Sequence, residues 1–246
     1  MNAVNADLKN AFVTEVQAAA RHRMASDVFA DVVRAMALAL ESPFSLGERH
    51  ADVEREYAAI RDKYEPGEFE HFPRALALTS SALASAREDF LGHALESLGA
   101  NNKNNGQFLT PVSVSRALAR MSLSDALDNY EPGTPITLSD PACGSSVLLI
   151  EGAEELTRLG VRQADIVIHA GDIDGRACDM SYVQMSLLGY AACVQHMDAL
   201  SRVRYEPDRY TPGWYLHGMP MRGIRGGSGA ERPREAAAGP RQMELF

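Results

Sequence analysis

Ile136-Thr137-Leu138-Ser139-Asp140-Pro141-Ala142-Cys143-Gly144-Ser145-Ser146 is the stretch on which the fold turns. Its first four residues form a short β-prone run, and Asp140-Pro141 ends it. Gly144 then leads into a helical pattern from Val147 to Leu159. Strand, glycine-bearing turn and helix recur downstream. Ile166-Val167-Ile168-His169-Ala170 reads as a second strand, Arg176 to Leu188 as a second helix, and Ala191 to His196 as a third strand. Three strands with helical crossovers, at roughly 25–30 residues per unit, make a parallel βαβαβ sheet, the first half of a Rossmann-like α/β fold.

Ligands of an open parallel sheet bind at the carboxyl ends of its strands. All three ends carry distinctive residues. Gly144 lets a ligand approach the backbone, the helix behind it offers free N–H groups, and Asp140 can accept from an ammonium or hydroxyl. Gly171-Asp172-Ile173-Asp174 places an acid where ribose hydroxyls would lie, and His196-Met197-Asp198 ends in a carboxylate able to receive an exocyclic amine. Each motif alone reads as a turn or a helix cap. Their joint occurrence at three successive strand ends favours an adenosine-containing ligand.

Upstream the chain reads as helical. Ala3 to Glu41 lacks proline and glycine, Leu46 to Tyr64 is strongly charged, and Arg74 to Leu98 carries a leucine-rich face. Three or four helices are expected over residues 1–100, as an all-helical N-terminal domain. Asn101 to Gly106 reads as a polar loop opening an α/β domain over 101–220, and residues 221–246 as a disordered tail rich in Gly, Arg, Pro and Ala.

The 246 residues are 46% hydrophobic and 23% charged, with a mean hydropathy of −0.21, which excludes a disordered acidic chain and a disulfide scaffold. The net charge of −9 divides into +3 over residues 201–246 and −12 over the rest, so nucleic-acid contact through the body would have to be focused. No membrane span or secretory signal is expected, and the odd count of cysteines, Cys143, Cys178 and Cys193, suits reduced thiols in the cytoplasm. The seven histidines show no metal spacing. Ser145-Ser146 lack the Gly-x-Ser-x-Gly elbow of a hydrolase.

Gly106-Gln107-Phe108-Leu109-Thr110-Pro111, followed by Asp140-Pro141-Ala142-Cys143-Gly144-Ser145, resembles the N6-adenine DNA methyltransferases, and most closely the modification subunits of type I restriction systems. The resemblance covers Gly106 to about Leu200. It implies an S-adenosylmethionine-dependent methyltransferase fold, DNA as substrate and S-adenosylmethionine as cofactor. Phe108, Thr110 and Pro111 match the segment closing over the methionine part. Asp140, Ala142 and Gly144 match the loop contacting its amino and carboxyl groups. Asp172 matches the ribose-holding acid, Ile173 the residue packed on adenine, and Asp198 the acceptor of the adenine amine.

The family's Asn/Asp-Pro-Pro-aromatic segment, which receives the flipped target base, has no counterpart, so no catalytic residue is assigned. The nearest sequence is Tyr210-Thr211-Pro212-Gly213-Trp214-Tyr215, and the sheet is expected to stop after about four strands. An inactive methyltransferase-fold binding module and an enzyme completed by a second subunit therefore stand beside an active methyltransferase. Gln242, Leu245 and Phe246 resemble the short peptide by which bacterial replication proteins dock on the sliding clamp.

Overall fold

The stretch from Ala3 to Glu41 does not form one rod. In a computed structural model describing residues 3–99, 114, 115, 118, 130–219 and, for the backbone alone, 241–244, it divides into α1 (Ala3–Ala20) and α2 (Ala25–Glu41) at a turn where Arg21 takes a φ of +29°. The turn carries the Arg23 guanidinium to 4.4 Å from the Tyr64 ring centroid and 3.2 Å from Glu68. α3 (Gly47–Arg61), the single turn α4 (Pro66–Phe69) and α5 (His71–Ser85) follow. The third helical stretch is also divided. Ala86 turns extended, and Asp89 caps α6 (Phe90–Ser97) by accepting a hydrogen bond from Gly92 N. At both breaks, tertiary contacts or a cap outweigh helix propensity.

β1 (Ile136–Asp140), α7 (Val147–Arg158), β2 (Ile166–Asp172), α8 (Gly175–Leu188) and β3 (Ala191–His196) then alternate as the sequence predicts. The strands are parallel, Ile136 opposite Ile166 and Val167 opposite Ala191. Every residue of β2 except His169 is buried, as in a parallel strand covered on both faces. Side-chain alternation sends Leu138, Ile168 and Val194 toward the helices, and Val167, Ala191 and Cys193 to the opposite face under Trp214.

The sheet, expected to stop after about four strands, has five. After β3 the chain folds back, and β4 (Arg209–Tyr210) runs antiparallel along its outer edge before the short α9 (Pro212–Leu216). At the other end β5 (Arg241–Glu244), expected to belong to a disordered tail, pairs in parallel with β1, giving the order β4-β3-β2-β1-β5. The physical reason is the open edge of β1, whose N–H and C=O groups need partners. Gln242 lies opposite Thr137, so the expected clamp-docking peptide begins inside a strand and not on a free end. Leu245, Phe246 and residues 221–240 lie outside the described residues.

The helical region and the sheet share one continuous core. Phe12 meets Phe29 and Phe90 edge-on at 6.1 and 5.7 Å, and the same cluster runs through Tyr182 to Leu138 and Ile168. A buried ionic knot reinforces the junction. Asp179 on α8 accepts from Arg34 of α2 at 3.0 Å and from Arg209 of β4 at 2.6 Å.

Candidate functional site

The carboxyl ends of β1, β2 and β3 are stitched together by backbone hydrogen bonds. Cys143 N donates to Gly171 O at 2.9 Å, and Met197 N to Asp172 O at 2.9 Å. Asp140 closes β1, and its carboxylate accepts from Ala142 N at 2.9 Å, turning the chain sharply after the strand. Asp172 closes β2. One of its oxygens accepts from Gly144 N at 2.8 Å and the other from Asp174 N at 2.9 Å. The expected site residues Asp140, Ala142, Gly144 and Asp172 are thus brought together by one hydrogen-bonded loop.

Gly144 has a φ of +54°, where a side chain is strained, and among the described residues no atom lies within 4 Å of the space its Cβ would enter. The loop therefore presents bare backbone to an open region. Beside it Ile173, directly after the buried end of β2, is 61% exposed. Asp140 and Asp172 are themselves buried, and burial pushes both carboxyls upward. The charge on Asp172 raises Asp140 further, and Asp174 does the same to Asp172. Among the described residues no lysine or arginine ion-pairs with either carboxylate. Ionised carboxylates held in such a place favour a cationic ligand.

Asp198 stands at the end of β3 but is engaged in its own turn. Its oxygens accept from Leu200 N at 2.9 Å, Ser201 N at 3.3 Å and Ser201 Oγ at 2.7 Å, and the Ser201 hydroxyl and neighbouring amides lower its carboxyl. Asp198 N donates in turn to Val203 O, closing a hairpin that leaves Leu200 almost fully exposed. Phe108, Thr110 and Pro111 lie outside the described residues.

Trp214 and Tyr215 are at the wrong end to serve as a base platform beside Asp140. Thr211 N donates to Ala192 O, and Thr211 Oγ1 to Tyr190 O, so α9 starts at the amino end of β3. A six-residue strand separates that end from the site by about 16 Å. Trp214 is buried under the sheet, and Tyr215 stacks on Phe44 with centroids 5.6 Å apart.

Sequence reasoning missed the support beneath the loop. Ser145 is held by Asp89 and Gln184, both buried and both far from it in sequence. Asp89 three residues before Gly92 is a legible helix cap, but nothing in its spacing reports Ser145. Cys143 is buried with its thiol raised by burial, which favours a packing role over a reactive one. Among the described residues no cluster could hold a metal ion, and no helix is long and apolar enough to cross a membrane.

The sequence model of the family described as N-6 DNA Methylase matches residues 86–209. That span starts at the α5–α6 junction and ends at β4, taking in every strand end described above. No curated protein matches the chain.

Proposed function

The chain belongs to the N-6 DNA methylase family, and on that premise we propose that the carboxyl end of its sheet binds S-adenosylmethionine for methyl transfer to the N6 amine of adenine in DNA. The proposal includes a Rossmann-like methyltransferase fold, supported by the parallel order β3-β2-β1-β5 with its loops at one end. The observation that carries it is the pair of buried carboxylates, Asp140 and Asp172, beside the backbone of Gly144, which no other described residue covers on its Cα side.

The donor set suits this cofactor. S-adenosylmethionine has an ammonium and a sulfonium to offset the two desolvated acids, ribose hydroxyls for Asp172, and an adenine face for the exposed Ile173. When bound, the cofactor supplies an electrophilic methyl group. The chain's own residues bind and orient: Asp140 and the 141–146 loop take the amino-acid end, and Asp172 fixes the ribose. Preorganisation by Gly144 N and Asp174 N keeps the Asp172 carboxylate in place before any ligand arrives.

A second reading is favoured by the path of the chain after β3. Residues 198–216 fold back along the sheet edge, and their aromatic pair lies at the opposite end from Asp140. The platform for the target base would then be supplied by another segment or by a second subunit. Incubating the full chain with methyl-tritiated cofactor and mixed-sequence DNA, then digesting the DNA to nucleosides, separates the two. Label in N6-methyldeoxyadenosine supports the complete enzyme. Label retained by the protein with none in DNA selects the second reading, a chain that binds the cofactor and needs a second subunit for the target base.

A further inference from the structure

A buried polar cluster beneath the candidate site joins the loop after β1 to the helical region. Asp89 caps α6 from the helical region, and its carboxylate accepts three hydrogen bonds: Gly92 N at 2.9 Å, Gln184 Nε2 at 2.9 Å and Ser145 Oγ at 2.5 Å. Gln184, wholly buried on α8, completes the set. Its carbonyl oxygen accepts from Leu91 N at 3.1 Å, and its amide nitrogen also donates to Ser145 O at 2.7 Å. Both polar groups of Ser145 that point into the protein are thereby fixed, one of them by the helical region. The flanking residues are anchored as well, Gly144 N on Asp172 and Ser146 Oγ on Ser181 at 2.6 Å.

The packing leaves no slack. A Cβ on Gly92 would fall 2.1 Å from Asp89 Oδ2 and 2.6 Å from Ser145 Oγ, so α6 closes on the carboxylate only because residue 92 is glycine. Ser146 is held at a φ of +76°, a conformation rarely adopted by serine. A loop in that shape persists when its surroundings over-determine it.

We infer that Asp89, although it lies in the helical region and touches no ligand-facing atom, is a positioning residue that holds the 141–146 loop in its binding shape through Ser145. The inference rests on the cofactor reading above for its consequence, since the loop is the part assigned to the amino-acid end of S-adenosylmethionine. It follows that the helical region is a working part of the site, and that damage at Asp89 falls chiefly on the amino-acid end, since Asp174 N still holds the ribose-facing Asp172.

The test uses the full chain as Asp89→Ala, Asp89→Asn and Ser145→Ala, with two readouts. In titrations, Asp89→Ala and Ser145→Ala should weaken S-adenosylmethionine by about tenfold, the loss of one buried charge-assisted hydrogen bond. Both should weaken 5′-methylthioadenosine, which lacks the amino-acid end, by no more than about threefold, because Asp174 N still holds the Asp172 carboxylate when Gly144 N is released. Asp89→Asn keeps Oδ1 as acceptor for Gly92 N and Gln184 Nε2, and its Nδ2 donates to the rotatable Ser145 hydroxyl in place of Oδ2, so it should recover most of the affinity. In hydrogen exchange without ligand, Asp89→Ala and Ser145→Ala should open the amides of residues 142–147 while leaving those of β2 and β3 protected. Equal loss of both ligands, or uniform exchange throughout the sheet, would show a general structural role and overturn the inference. Unchanged exchange in the loop would do the same. Failure of wild type to bind either ligand would instead overturn the cofactor reading, and the exchange readout would still decide this one. If Asp89→Ala does not fold, Ser145→Ala carries the same comparison.

Discussion

Replacing Asp172 with asparagine should separate what the fold wants from what the site wants. The side chain keeps its shape but loses its charge, and only one of its two ends can still accept. In the native protein those ends accept from Gly144 N and Asp174 N, so one N–H is left facing an NH2 group. An unsatisfied buried donor costs about 1–3 kcal/mol. Against that stands a gain, because burial raises this carboxyl and the folded state therefore carries a desolvated charge that asparagine removes. The two effects offset, and the ligand-free Asp172→Asn protein should melt within about 4 °C of wild type, since about 1 kcal/mol corresponds to 2–4 °C at this size. Ligand binding has no such offset. Loss of a charged acceptor to the ribose costs about 1.5–3 kcal/mol, or roughly 10- to 150-fold in Kd. Calorimetric melting and cofactor titration on the same preparation measure both. A variant that binds S-adenosylmethionine as wild type does would show that Asp172 does not hold the ribose, and one that melts more than about 10 °C lower would show that its charge is needed by the fold.

Asp179→Ala strands the wholly buried Arg209 guanidinium, while Arg34 keeps Glu56 and Glu206, and should cost about 3–5 kcal/mol, a fall of about 10 °C on melting. Ile173→Ser should leave stability within about 0.5 kcal/mol because the side chain is 61% exposed, yet weaken adenosine binding in titration. Burial alone would raise the Asp165 carboxyl, but hydrogen bonds from Arg162, Tyr130 and Gly133 bring it down to about 2. Its stabilising contribution is therefore complete above its unfolded value of about 3.9 and lost as pH falls toward 2. Acid titration followed by circular dichroism should show wild type losing its advantage over Asp165→Asn across that interval. Asp140 and Asp172 are shifted upward instead, yet acid acts in the same direction on their hold on a cationic ligand. Binding requires their ionised forms, so affinity should fall as pH is lowered into the carboxylate range, with protons released on binding.

The alternation of β-branched runs with helical patterns gave away the parallel sheet, because both faces of β1 and β2 are covered and their sequences show it directly. Asp140, Gly144 and Asp172 were legible for the same reason: a strand end is a fixed address. What the sequence hid is what depends on distant partners. The break at Arg21 follows from Tyr64 and Glu68, and β5 follows from the open edge of β1 roughly a hundred residues earlier. The return of β4 along β3, which carries Trp214 and Tyr215 away from the site, is set by Thr211 bonding to Tyr190 and Ala192. The support of Ser145 by Asp89 and Gln184 spans three separate segments, and no local pattern records it.

Isothermal titration of the full chain with S-adenosylmethionine tests the central claim most directly, with Asp172→Ala as the control. The account predicts saturable binding of one cofactor per chain with a Kd below about 1 mM, worth more than about 4 kcal/mol, and a weakening of at least tenfold in Asp172→Ala. No saturable heat up to millimolar cofactor, or binding that ignores the loss of Asp172, would contradict it.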